Sequence, residues 1–378
     1  MMWDKIKEFA AKNQEEMYEM IRELCRIPAP SGMEHQRALY CKNWLEKIGA
    51  KGVIIDDAQN VIFPLNCANS NEITLFLAHT DTVFPDVDPM PCFDDGEKLH
   101  SPGVADDTAS VVVLLQMAKF FVEQNLFPEK GILFVCNSCE EGLGNLKGCK
   151  KLFEDYGHRI KQMISFDSNL NVVNDVCVGS HRYEVTIQTQ GGHSYEDFGN
   201  TNAIFIASQM VNELYGIQIP CKEGTKTTCN VGTISGGTSV NTIAQNTTFL
   251  CEYRSDDGEC LAYMQQQFET VFRNYQRDDI RIEIKKAGDR PCGQIDSSKV
   301  EALKELVIPE IEAVIQQKVT CMSSSTDCNI PLSMGIPALC VGVNYHQGIH
   351  TREEWVDKQS IPLGLQIAIR LGMKLTEG

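Results

Sequence analysis

The sequence predicts an α/β fold interrupted by an inserted α+β unit of ferredoxin-like order. Three observations predict it. Strand-like apolar runs alternate with helical periodicity toward both ends of the chain. A β-α-β-β-α-β succession fills the middle. The length, 378 residues, exceeds the roughly 250–300 at which a single hydrophobic core stops growing, so two domains are expected.

The elements follow in order. Apolar residues at helical spacing (Ile6, Phe9, Met17, Met20, Ile21, Leu24) predict a helix from about Trp3 to Ile27, stopped by Pro28 and Pro30. A second helix covers about Glu34–Ile48 and ends at Gly49. The runs VIID, VIFPL and ITLFLA read as strands, Ala109–Gln124 as a helix and GILFVC as a buried strand. Lys147–Tyr156 reads as a helix and MISFD as the next strand. Such alternation argues for a sheet with helices on both faces.

The pattern changes near Gly179. HRYEVTIQTQ alternates as a half-exposed strand does; KTTCNVGTIS, NTTFLCEYRS and RIEIKKA are strand-like; Ala203–Leu214 and Asp256–Tyr275 are helical. After Pro291 the first pattern resumes, with a helix from about Ser298 to Gln317, the strands VTCMSS and IPALCVG, and a terminal helix after Pro362. The predicted domains are 1–178 plus 293–378, with 179–292 inserted between them.

Composition narrows the function. With 43% hydrophobic and 22% charged residues the chain is globular, neither collagenous nor low-complexity. Lys and Arg total 34 against 51 Asp and Glu, a net charge of −17 that repels phosphate backbones and argues against nucleic-acid partners. The first residues, MMWDKIKEFAAKNQEE, lack the basic-then-apolar order of a leader, and VVVLLQMAKFF is too short to cross a membrane. A cytoplasmic protein is expected, with its 16 cysteines reduced. Cys136, Cys177, Cys251 and Cys340 sit in apolar strands as small hydrophobes, and the C-x-x-C of Cys136 and Cys139 has no second such pair to complete a zinc knuckle.

Chemistry-bearing residues gather where the first domain's strands end, the side on which open α/β sheets bind ligands. ITLFLA runs into His79-Thr80-Asp81. Residues two apart in a strand share a side, so Asp81 can orient a ligating His79. The plain alternative is a solvent-facing His and a turn Asp. In SPGVADDTAS, Asp106 and Asp107 precede a helix, where one of them can serve as an N-cap. GILFVC leads to Glu140-Glu141, a costly pair unless a cation or proton is near, or an ordinary one if the loop is exposed. MISFD ends in Asp167, and HQGIHTREEWV offers His346 and His350. Taken together, histidines and carboxylates without cysteine suit zinc, manganese or cobalt. Two histidines and three carboxylates suffice for two ions that share a bridging carboxylate and activate water for hydrolysis.

LAHTDTV, GVADDTAS, SCEEGLG, SFDSN and IHTREEWV, in this order, resemble the signature set of the aminoacylase/carboxypeptidase G family of dinuclear zinc peptidases, peptidase family M20. The likeness spans nearly the whole chain and is nearest to the peptidase T-like di- and tripeptidase branch, because GGTSVNTIA looks most like that branch. It implies a mixed-sheet α/β catalytic domain and a lid domain used by some members for dimerisation.

Residue by residue, the resemblance implies that Asp106 bridges two divalent ions, with His79 and Asp167 completing one and Glu141 and His350 the other. Asp81 orients His79. Glu140 is the general base, taking a proton from the metal-bound water and returning it to the leaving amine. His193, in Gly191-Gly192-His193-Ser194, stabilises the oxyanion, across to a partner subunit in dimeric members. Asn241 binds substrate and Arg290 grips its carboxylate. Ser324-Ser325-Thr326-Asp327 falls where relatives line the pocket. The chain departs from the family at Thr108, Ala109 and Ser110, where Lys and Gly are common, and in the serines of the pocket loop. Both departures sit where substrates are sorted. The expected activity is hydrolysis of a di- or tripeptide, with removal of the acyl group from an N-acyl amino acid as the alternative on the same ligands. The partners implied are that substrate and a second copy of the chain, with neither nucleic acid nor membrane.

Overall fold

The computed structural model describes residues 2–377, and the chain divides into two compact units. One runs to Cys177 and resumes at Gln294; the other is Val178–Gly293.

The first unit is built on an eight-stranded mixed sheet in the order Ile54–Ile55, Val61–Leu65, Gly131–Asn137, Ile73–His79, Ile160–Ser165, Ala338–Val341, Val172–Cys177, Thr320–Ser324. Its centre is parallel: Ile73–His79 pairs with Gly131–Asn137 on one side and Ile160–Ser165 on the other. Every residue of Ile73–His79 and Gly131–Asn137 is buried, as strands covered on both faces require. Phe76 anchors the core between Phe134 and Phe166, at ring separations of 6.5 and 5.9 Å. The helices Met2–Cys25, Ala109–Glu123, Ser297–Ile315 and Ser360–Thr376 pack on one another.

The terminal helix begins at Ser360, so Pro362 lies in its first turn, where a missing N–H leaves no helical bond unmade. Two features escaped the periodicity argument. Val172–Cys177 is interrupted by Asn174 and Asp175, yet it forms a strand antiparallel to Ala338–Val341 and parallel to Thr320–Ser324. A separate four-stranded antiparallel sheet joins His346–Gln347, Trp355–Asp357, Lys98–His100 and Phe93–Asp94. Its strands are two or three residues long, too short for alternation to register. Its pairing Trp355↔His100 sets the segment after His350 beside the segment leading to Asp106.

The second unit is a four-stranded antiparallel sheet in the order Thr227–Gly236, Asn246–Ser255, Gly179–Gln188, Arg281–Arg290. The helices Ala203–Gly216 and Gly258–Asn274 complete the β-α-β-β-α-β order. Each starts on a side-chain cap: Asn202 accepts from the N–H groups of Ile204 and Phe205, and Asp257 from that of Cys260. The unit has its own core, with Tyr253 edge-on to Phe268 at 4.6 Å. Among the described residues no helix is long and apolar enough to cross a membrane.

Candidate metal centre

Two neighbouring parallel strands deliver the first residues together. Ile73–His79 and Gly131–Asn137 are in register, with His79 opposite Asn137, and the N–H of Thr80 bonds the Asn137 carbonyl at 2.8 Å. The segments that follow therefore lie side by side, Asp81 on one and Glu140-Glu141 on the other. The fully buried Asp81 carboxylate stitches them: it accepts the N–H groups of Glu140 and Glu141, each at 2.9 Å, and the Ser31 hydroxyl at 2.6 Å.

His79 is buried above this carboxylate. Its Nδ1 lies 3.1 Å from the Asp81 carbonyl and 3.4 Å from Asp81 Oδ1, two oxygens that place the proton on Nδ1. Its Nε2 faces Asp106 Oδ1 at 3.0 Å. Asp106 does not close a strand. It stands on the irregular turn Val104–Thr108 that leads into the helix Ala109–Glu123. Its second oxygen meets His350 Nε2 at 3.1 Å, and the same nitrogen is 3.2 Å from Glu141 Oε1. Ligand atoms of His79, Asp106 and Glu141 all lie within 4.8 Å of one another.

Asp107 is no helix cap. It is fully buried, and its Oδ2 accepts the His79 backbone N–H at 2.9 Å. Glu140 and Glu141 are each only 5% exposed, which sets aside the solvated-loop alternative. Asp167 follows the strand Ile160–Ser165 by two residues and is partly buried. His346 is held through Nδ1 by Asn344 Oδ1 at 2.8 Å and stands outside the clustered atoms.

Charge explains how this set behaves. Burial would lower the imidazole of His79, but the carboxylates of Asp106 and Asp81 outweigh it and hold it well above its ordinary value. His350 is pushed up to about 10 by its bonds to Asp106 and Glu141. Burial, then the charge of Asp106, raises Glu141 to about 7. Burial also pushes Asp107 well up, and does the same to Asp167 together with the charges of Asp106 and Asp107. The carboxylates of Asp81, Asp106, Asp107, Glu140, Glu141 and Asp167 thus crowd around the buried imidazole of His79, with the half-exposed imidazole of His350 at the rim. Such an excess of negative charge is costly without cations. Donor separations of 3.0–3.2 Å among His79, Asp106, Glu141 and His350 are near the ~3.3 Å between donors around a tetrahedral ion with ~2.0–2.1 Å bonds. The nearby thiol of Cys139 points instead at Glu34 Oε1, 3.3 Å away, leaving a nitrogen and oxygen donor set. The residues fit divalent ions.

Several supports were not singled out by the sequence. Ser31 holds Asp81. Arg37, fully buried, donates to the carbonyls of Ile27 and Thr80 and to Thr108 Oγ1. The signal for it was the buried stripe Arg37, Ala38, Cys41, Leu45 of the helix His35–Lys47, which carries a cation. Glu354 accepts backbone N–H groups of Gly103, Ala105 and Asp106. Asp327, by contrast, belongs to the pocket loop that the sequence did single out; it accepts from Asn137 Nδ2 at 2.7 Å and is raised to about 7 by burial and then by the Glu140 charge. The departures at Thr108 and Ser110 have structural uses: Thr108 Oγ1 bonds the Gly103 carbonyl, and Ser110 Oγ accepts from Asn344.

The remaining predicted residues belong to the second unit. His193 and Asn241 are neighbours there, since His193 pairs with Thr242 and the Ser194 N–H bonds the Asn241 carbonyl at 3.0 Å. His193 Nδ1 accepts the N–H groups of Tyr195 and Glu196 at 3.4 and 3.3 Å, which leaves Nε2 as the protonated donor. Arg290 ends the strand Arg281–Arg290 and is 4% exposed, unlike a plain surface arginine.

Comparison with known proteins gives these geometries a context. The sequence profile of Peptidase family M20/M25/M40 matches residues 75–374. The uncharacterized protein YqjE of Bacillus subtilis (strain 168) is 25% identical over 368 residues, covering 90% of this chain and 93% of the relative. Acetylornithine deacetylase of Myxococcus xanthus is 27% identical over 219 residues, 55% of this chain and 56% of the relative. Among solved structures, aminopeptidase PepT from Bacillus cereus superposes with a TM-score of 0.72 at 20% identity, covering 97% of this chain and 99% of its own, and shares the fold.

Proposed function

The chain belongs to peptidase family M20/M25/M40, and on that premise we propose that it is a di- or tripeptidase, an exopeptidase that works with two bound divalent cations. Asp106 would serve both ions, with His79 and Asp167 completing one set and Glu141 and His350 the other. The observation that carries this reading is the Asp106 carboxylate, which turns one oxygen to His79 at 3.0 Å and the other to His350 at 3.1 Å. Zinc suits these donors best, and cobalt or manganese accept the same set.

When bound, the ions supply Lewis acidity toward the scissile carbonyl and the attacking water. Glu140 takes the proton from that water and hands it to the leaving amine. Its backbone is held by Asp81, so the carboxylate starts from a fixed place. Asp81 also keeps the His79 proton on Nδ1, which aims Nε2 at Asp106. His193 donates from Nε2 to the oxyanion, Asn241 binds substrate, and Arg290 pairs with a substrate carboxylate. The protein acts in the cytoplasm as a homodimer joined through its 178–293 unit.

One observation favours a second reading. The Myxococcus xanthus relative is an acetylornithine deacetylase, so an N-acyl amino acid is the alternative substrate for the same residues. A panel of free di- and tripeptides against N-acetyl and N-succinyl amino acids decides between them. Turnover of peptides with free amino termini is expected; turnover of acylated amino acids alone would overturn the peptidase reading.

A further inference from the structure

We propose that Glu354 is a positioning residue of the metal centre, whose carboxylate sets the Asp106 loop in place relative to His350 by accepting the N–H groups of three residues of that loop. The inference rests on reading the clustered carboxylates and imidazoles as a metal centre. Glu354 is fully buried. Its Oε1 accepts the N–H of Ala105 at 2.8 Å and of Asp106 at 3.0 Å, while Oε2 accepts that of Gly103 at 2.9 Å. A carboxylate is the side chain that can accept at both oxygens at once. The partners are 248 to 251 residues away in sequence, so the contact joins two distant segments.

Those two segments carry the two sides of the cluster. Glu354 follows His350 by four residues, and His350 itself sits in a turn closed by the Thr351 N–H and hydroxyl on the Gly348 carbonyl, at 3.0 and 2.7 Å. Its own carbonyl accepts the Ser101 N–H at 3.2 Å, and the next residue begins the strand Trp355–Asp357 paired to Lys98–His100. On the other flank the Asp106 loop presses on the chain just past Asp81: Gly103 has φ +70°, and a Cβ there would lie 2.5 Å from Thr82 Cγ2. The loop is therefore bounded by Thr82 on one side and by Glu354 on the other. The 3.1 Å approach of Asp106 to His350 depends on where that carboxylate holds it.

The amide of glutamine has the same size and one acceptor oxygen. In either orientation its NH2 group meets an N–H that the carboxylate accepted, which turns an attraction into a donor–donor clash. The loop should shift while the rest of the fold stands. The test is Glu354→Gln in the full-length protein, with zinc dissociation constants of the folded, metal-stripped variant measured by competition with a chromophoric chelator. Tightness toward at least one ion should fall by about 10–100-fold, the usual effect of altering the groups that orient ligands. At saturating cobalt the variant's visible absorption should also differ from wild type. Zinc constants and a cobalt spectrum matching wild type would refute the role, even if the variant melted at a lower temperature. If the variant does not fold, amide exchange in the metal-stripped wild type replaces it. The amides of Gly103, Ala105 and Asp106 should be protected, and exchange at the rate of an open chain would refute the inference. The premise is read separately: wild type that binds no divalent cation removes the metal centre itself and this role with it.

Discussion

Asp81→Asn probes the joint on which the site is assembled. The carboxylate accepts the Glu140 N–H at Oδ1 and both the Glu141 N–H and the Ser31 hydroxyl at Oδ2, all at 2.6–2.9 Å in a fully buried place. Asparagine offers one oxygen. Turned its better way, it keeps Glu141 and Ser31 and points its NH2 at the Glu140 N–H. One charge-assisted bond is lost and one buried donor is left without an acceptor, a cost of about 1.5–3 kcal/mol. In a unit of this size that lowers Tm by roughly 3–12 °C. A second loss is separate, because the His79 proton is no longer held by an anion, and metal affinity should drop by about 10–100-fold. Calorimetry of the metal-stripped protein reads the first effect and chelator competition the second. An Asn variant that melts with wild type and binds zinc as tightly would show that Asp81 neither joins the two segments nor orients the imidazole.

Other outcomes follow from the same geometry. Glu140→Gln should lower peptide turnover by about 10²–10⁴-fold while leaving zinc content intact, measured by steady-state kinetics beside elemental analysis; zinc loss would instead mark Glu140 as a ligand. Glu141→Gln should do the reverse first, weakening metal binding because Glu141 Oε1 is 3.2 Å from His350 Nε2. Burial would raise Asp94, but Lys358 and Arg22 outweigh it and hold its carboxyl at about 2, below the ~3.9 of an unfolded chain. A depressed carboxyl stabilises the fold above the unfolded value and stops doing so as pH falls through the folded one. Urea melts of wild type and Asp94→Asn should therefore differ most above about pH 4.5 and converge toward about pH 2; a gap that widens on acidification would contradict the pairing.

The parts of the fold with strong periodicity were legible in the chain. Lys147–Tyr156 and the strands around ITLFLA and GILFVC needed only local patterns, because a strand buried on both faces is nearly continuously apolar. Short strands such as His346–Gln347 carry no period, and only their partners define them. The same distinction runs through the site. His79, Glu141 and Asp167 stand at or near the ends of predictable elements, whereas His350 lies in the loop after the short strand His346–Gln347. Asp106 stands at no such end, and its place on an irregular turn comes from long-range contacts with Glu354 and Thr82. One of Asp106 and Asp107 could be read as a helix cap because capping is a local rule, yet the Asp107 carboxylate is used by the His79 backbone 28 residues away. The roles of Arg37 and Glu354 were not legible for a related reason: what a buried charge does is set by its partners, and those partners are far off in sequence.

Two divalent cations, held by Asp106, His79, Asp167, Glu141 and His350, are the centre of the proposed function. Elemental analysis of the active protein, before and after dialysis against a strong chelator, tests this most directly. Two transition-metal ions per chain are predicted, with peptide hydrolysis lost as they leave and restored on adding zinc back. Protein that hydrolyses its substrate at full rate with none bound would contradict it.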